Sequence, residues 1–260
     1  MNENFFFSWI LGIFIIFLTS PIGSLIVWKR ISFFGDSLSH ASILGIAISY
    51  MINIDYLYIN FFLVLIFLSC ILIIEKYSYI EIDAIISILM NISLSLGTLF
   101  LDIISKNKKV DIPHYFFGDF SHIIIYDILR VFLMSSIILL ILSFFWENFL
   151  LIIINPELAQ IQGVNTFFMR FLLLFLISFV ICLAIKFFGV LLMTSLLIIP
   201  VSISQRFSSS PEHSVTMSFM ISVFSFTVGL LISYYFHILI SPIIVLILSI
   251  FFLFSLIYSK

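Results

Sequence analysis

The sequence predicts an all-α protein, a polytopic transmembrane helix bundle with about eight or nine membrane segments, one of them short or broken. Three observations carry this expectation. Of 260 residues, 63% are hydrophobic, and the 11 basic and 13 acidic side chains are too few to solvate a globular surface. Apolar runs such as 5-FFFSWILGIFIIFLTS-20, 61-FFLVLIFLSCILII-74, 132-FLMSSIILLILSFFW-146 and 171-FLLLFLISFVICLAI-185 recur along the whole length. The breaks between them are short, so residues 1–260 have room for one transmembrane domain and none for a separate soluble one.

A hydrocarbon core of about 30 Å needs roughly 20 apolar residues per helix. The first segment, near 5–27, ends at Lys29-Arg30 and lacks the basic start and small-residue cleavage site of a signal peptide, so it is expected to stay as an anchor. The second, 36–53, follows Gly35 and is the most polar. The third and fourth, 56–74 and 82–104, are joined through Glu75, Glu81 and Asp83, which mark a solvated turn. The fifth, 122–146, follows the polar loop 105-SKNKKVDIPHYFFGDFSH-122. The sixth, 167–187, runs up to Gly189, and the seventh, 190–204, is short and contains Pro200; a broken helix of this kind is tolerated where protein covers it. The last two, 215–236 and 241–258, are regular apolar spans. With Lys29-Arg30 in the cytoplasm the N-terminus lies outside and Lys260 inside.

Two connections are patterned. In 155-NPELAQIQGVN-165, Asn155 caps, Pro156 suits the first helical position, Glu157 suits the positive end of the dipole, and Gly163 suits a stop, which spells a short helix in a cytoplasmic loop. In 205-QRFSSSPEH-213, Ser-Pro-Glu starts the next helix.

Asp36 and His40 stand four residues apart in 35-GDSLSHASILG-45, on one helical face, so an oxygen and a nitrogen can meet one ion such as Zn²⁺. Ser37, Ser39, Ala41, Ser42 and Gly45 around them let neighbouring helices approach, which makes the face an interior wall. An ionisable residue within the membrane reads as functional by default, while the competing reading has Asp36 serving the helix dipole and His40 a neighbouring carbonyl. Asp111, His114, Asp119 and His237 are weaker ligand candidates in outer loops, and Asp102 and Arg130 snorkel at span ends. Cys70 and Cys182 lie in apolar runs and pack as small hydrophobes. A net charge of −2 with scattered Lys and Arg excludes nucleic-acid binding. HExxH, GxSxG and GxxxxGK[ST] are all missing from the sequence, so proteolysis, serine chemistry and P-loop ATP binding have no support.

The stretches 26-IVWKRISFFGDSLSHASILGIA-47, 110-VDIPHYFFGDF-120, 156-PELAQIQGV-164 and 189-GVLLMTSLLIIPVSISQRFSSSPE-212 resemble, in the same order, the membrane permeases of metal-ion ABC importers, and most closely their zinc-uptake branch. The resemblance implies a multi-pass protein of the bacterial inner membrane that pairs with itself as a homodimer. It further implies a cytoplasmic ATP-binding subunit that hydrolyses the ATP and a soluble extracytoplasmic metal-binding protein that delivers zinc. Zinc is then the transported substrate, with no permanently bound cofactor and no enzymatic activity of the chain's own. Asp36 and His40 match the family's GDxxxH pattern as transient metal ligands, and Pro156, Glu157, Leu158 and Gly163 fall in the loop that touches the ATPase. Ser39, Ile31 and the loop near His237 depart from the pattern, so His237 receives no ligand role. Manganese or iron in place of zinc, and an intramembrane metalloenzyme, are the alternatives.

Overall fold

The computed structural model describes residues 3–78, 80, 82–105, 117–118 and 123–258. Within them the chain forms ten helices and no strand: α1 Glu3–Trp28, α2 Phe33–Ile52, α3 Tyr56–Tyr77, α4 Ile82–Ser105, α5 Ile125–Phe144, α6 Trp146–Ile154, α7 Pro156–Ile161, α8 Thr166–Ser204, α9 Pro211–Phe236 and α10 Ile240–Tyr258. Seven of these are long and apolar enough to cross a bilayer. The helix α2 falls outside that set, consistent with the polar residues Asp36, Ser37, Ser39, His40 and Ser42 that it carries.

The 39-residue α8 cannot be a single rod. Gly189, at φ 71° and ψ 172°, is not helical and divides it into an arm before and an arm after. A methyl group placed on Gly35 would lie 3.4 Å from the side chain of Leu197 and 3.9 Å from that of Ile181. Those two residues would stand about 24 Å apart along a straight helix, so the second arm folds back beside the first. α8 is a hairpin, and its arms are the sixth and seventh segments expected from the Gly189 break. With α2 and the two arms taken separately, every expected segment has its helix.

The tip of this hairpin is held by polar contacts. The Ser241 hydroxyl reaches the carbonyls of Phe117 and of Phe188, the latter at 3.2 Å. Lys186, just before the tip, pairs with Asp127 in the first turn of α5 at 2.8 Å. Pro200 is buried in the second arm, where neighbouring protein rather than lipid covers the backbone it leaves unpaired.

Two boundaries differ from expectation. The fifth span ends at Phe144, and a break at Phe145 starts a separate helix, α6, whose Phe149 and Ile152 are buried. An uninterrupted apolar composition hid that break. α9 begins at Pro211, where Ser210 accepts the His213 amide at 3.2 Å, so the Ser-Pro-Glu start holds and the span gains a turn.

The core runs along α8, which packs against α1, α2, α3, α9 and α10. Both arms carry buried aliphatic residues, among them Leu173, Ile177, Ile181, Leu192 and Leu196. Burial on all sides is what a helix hydrophobic all round requires.

Candidate functional site

Asp36 lies in the first turn of α2 and His40 one turn later. Their side chains meet, with His40 Nε2 3.5 Å from Asp36 Oδ1, and remain 27% and 43% exposed for His40 and Asp36 respectively. The other imidazole nitrogen, Nδ1, is buried and has no hydrogen-bond partner among the described residues. Asp36 borders an open recess of about 360 Å³ that is otherwise lined by Ser32, Phe33, Thr194, Ser195, Ile198 and Ile199. The second arm of the α8 hairpin thus forms the wall opposite the pair.

The serines around the pair face inward. Ser39 donates to the Gly35 carbonyl at 2.8 Å and Ser42 to the Ser39 carbonyl at 2.6 Å, and Ser37, Ser39 and Ser42 are all buried. Ser39 and Ser42 satisfy themselves on their own helix, and all three let it pack closely, as small residues do in membranes. The packed face of α2 is therefore the serine face, and the Asp36 carboxylate borders the recess.

Depth follows from neighbours. Gly23 meets the carbonyl of Leu197, to which a Cβ would come within 2.3 Å, and Gly35 meets the Leu197 side chain. The start of α2 therefore lies level with Gly23, about 7 Å inward along α1 from its end at Trp28. Asp36 sits within the bundle and not at its rim, and His40 lies about 6 Å further in.

Among the described residues no three His, Cys, Asp or Glu side chains gather closely enough to hold a metal. The described residues bring two candidate ligands together. His237 caps α9 in a left-handed conformation at an exposed position. Asp83, Asp102 and Arg130 are exposed. Asp111, His114, Asp119 and Glu81 lie outside the described residues.

Glu75 corrects the expectation of a solvated turn. Its carboxylate pairs with Arg170 at 2.6 Å, both half-buried. Lys29 senses both: burial first, then the neighbouring Arg170 guanidinium, pull its ammonium down to about 8, against the raising effect of Glu75. Asn60 was also not singled out by pattern. It is buried, and its amide donates to the Tyr56 hydroxyl at 2.9 Å and to the Cys182 sulfur at 3.2 Å. A single Asn in an apolar run is the signal that would have found it.

The patterned loop forms as its residues dictate. Asn155 Oδ1 accepts the amides of Glu157 and Leu158 at 2.9 and 3.2 Å, and Pro156 opens α7. Gly163, at φ 80°, turns the chain so that the Val164 amide returns to the Ala159 carbonyl at 2.9 Å. Ala159 is buried, whereas Pro156, Glu157, Leu158 and Gly163 are exposed. Ile154, Ile161 and Phe167 add bare apolar surface beside them, at 77%, 81% and 67% exposure.

The model of the ABC 3 transport family matches residues 1–259. The chain belongs to this family. It is 43% identical over 256 residues to the high-affinity zinc uptake system membrane protein ZnuB of Buchnera aphidicola subsp. Schizaphis graminum, covering 98% of each protein. To the protein of the same name from Haemophilus influenzae it is 33% identical over 256 residues, again covering 98% of each. The solved structure of PsaBC from Streptococcus pneumoniae in complex with Fab shares the fold, with a TM-score of 0.88 at 24% identity over 100% of this chain and 93% of that one. Family membership makes the chain a multi-pass transport protein and not a catalytic enzyme.

Proposed function

We propose that the chain is the permease subunit of an ATP-driven importer that carries zinc ions across the bacterial inner membrane into the cytoplasm. The Asp36–His40 pair, with Asp36 on the border of an open recess, carries the reading. The identity to two zinc uptake membrane proteins supports the choice of ion.

A bare divalent ion cannot enter hydrocarbon, so the path must offer ligands and then withdraw them. One chain supplies an oxygen and a nitrogen on one helical face. A second copy related by a twofold axis would supply the same pair again, giving the four-ligand set that zinc accepts. Ligands divided between two bodies hold the ion while the bodies are together and release it when they part. A half-exposed carboxylate within the membrane also needs cover, and a facing copy provides it.

ATP hydrolysis then belongs to a cytoplasmic partner, since the sequence carries no P-loop. The exposed α7, with Leu158 and Ile161 beside Glu157, fits the contact of such a partner, because bare apolar patches outside the membrane mark protein interfaces. The 155–165 segment is its coupling loop. A soluble extracytoplasmic metal-binding protein would deliver the ion at the opposite face.

The direct test is uptake of radiolabelled zinc by cells lacking their own copy of this protein, with manganese and iron as competitors. Zinc uptake restored by the chain and resisting a tenfold excess of either competitor is the expected result, since selectivity among these ions comes from site geometry, ligand type and metal availability and not from raw affinity. Uptake of manganese alone would replace zinc as the substrate. Glu157→Cys and Ile161→Cys are each expected to crosslink to the ATP-binding subunit; crosslinks to the extracytoplasmic protein instead would reverse the assigned sidedness.

A further inference from the structure

A second cavity, a groove of about 400 Å³, opens between the membrane-spanning helices α1, α5 and α9 and shares no residue with the recess beside Asp36. Each helix gives it one stripe, with residues three or four apart: Phe17 and Pro21 of α1, Leu139 and Leu142 of α5, Val215 and Phe219 of α9. On α1, Phe17 and Pro21 are turned about 120° and 160° away from Gly23, which meets the second arm of α8. The groove therefore looks away from the arm that walls the recess.

Its lining is apolar along the helices and charged at one end. The hydroxyls that reach it are spent on their own helices: Ser20 donates to the Ile16 carbonyl at 2.9 Å, Ser143 to the Leu140 carbonyl at 3.0 Å and Thr216 to the His213 carbonyl at 3.0 Å. Each has given its one proton, so none is left to donate to a polar ligand. At the charged end Glu212, in the first turn of α9, accepts the Trp146 indole N–H on Oε1 at 3.2 Å. Glu212 is exposed and has no ion-pair partner among the described residues. An indole beside a charge at the end of a span is what a membrane–water interface favours.

From Glu212 to Phe219 the groove runs about 10 Å along α9, a third of the hydrocarbon core. Its occupant must be apolar over that length and cationic at its head, which describes an amphiphile. We propose that the groove binds a phospholipid with a primary ammonium headgroup, phosphatidylethanolamine, its acyl chain lying between α1, α5 and α9 and its ammonium on Glu212. The indole holds Oε1, so Oε2 is left to accept from the ammonium. An anionic headgroup would meet the carboxylate as a like charge and is disfavoured there.

Trp146 makes the site visible. The sequence holds three tryptophans, and Trp9→Phe with Trp28→Phe leaves Trp146 as the single fluorophore. The full-length chain is placed in phosphatidylcholine vesicles doped with either phosphatidylethanolamine or phosphatidylglycerol brominated in the acyl chains, and quenching of Trp146 gives the relative affinity of each. The ethanolamine lipid is expected to bind about threefold more tightly than the glycerol lipid, the scale of one exposed ion pair. Glu212→Gln should bring the ratio to one, and so should Thr216→Phe, which plugs the groove and keeps the carboxylate. Mass spectrometry of the unaltered chain released from micelles holding equal amounts of both lipids reads the same preference without the tryptophan changes. Equal retention and equal quenching of the two lipids would make the groove ordinary boundary surface and overturn the proposal. A preference that survives Glu212→Gln or Thr216→Phe would place the lipid elsewhere and overturn it as well. Absence of quenching by either lipid would mean that protein covers the groove, which excludes it too.

Discussion

Asp36→Ala and His40→Ala are each expected to lower zinc uptake by at least about 100-fold, since even the outer-shell partners of a metal site are worth 10–100-fold. The reason is the sparseness of the ligand set. On the proposed reading each chain contributes two donors, with Asp36 Oδ1 and His40 Nε2 3.5 Å apart, and no group of three His, Cys, Asp or Glu able to hold a metal is found among the described residues. In a twofold pair, one substitution removes two of the four donors and leaves the others unable to displace the ion's hydration shell. Folding should be spared, because both side chains are partly exposed while Ser37, Ser39 and Ser42 are buried. The check is uptake together with the amount of protein in the membrane. Wild-type uptake in both variants, at wild-type abundance, would remove these residues from the path.

Gly189→Ala should act in the opposite way, on the fold and not on the ion. At φ 71° and ψ 172° this residue occupies a region that essentially only glycine enters, so a side chain costs about 1–3 kcal/mol in backbone strain alone. The strain falls at the tip that Ser241 and the Lys186–Asp127 pair hold in place, where any shift also breaks these contacts. Gly163→Ala is the comparison: φ is 80°, but nothing lies within 4 Å of an added Cβ, so that variant suffers strain without lost packing. Thermal unfolding in detergent is expected to drop clearly for Gly189→Ala and less for Gly163→Ala. Equal drops would show that the tip contributes nothing beyond its dihedral angles.

The membrane segments were legible because length and apolarity are properties of consecutive residues. The Gly189 break and the Asn155-Pro156 cap were legible for a related reason, each depending on the conformational habits of one or two residues. The Asp36–His40 pair could be read because helical spacing alone puts positions four apart on one face. The wall opposite it could not: Thr194 and Ser195 reach the recess only because α8 folds back, and no local pattern specifies where the returning arm lands. Glu75 looked like an ordinary end-of-span charge, since its partner Arg170 lies 95 positions later in the chain. The α6 break was invisible for the converse reason, as Phe145 differs in no local way from the apolar residues on either side of it.

The α8 hairpin also decides the parity of the chain. Its second arm returns alongside its first, and the Trp146 indole, at the start of α6 on the side from which α8 sets out, donates to Glu212 at the start of α9 at 3.2 Å, so the chain re-emerges on the side where it went in. Despite its 39 residues α8 makes no net crossing. Counting it as a single passage would invert α9 and α10 and put the 205–210 connection on the wrong face; counting it as two, or as none, leaves every later element correctly oriented.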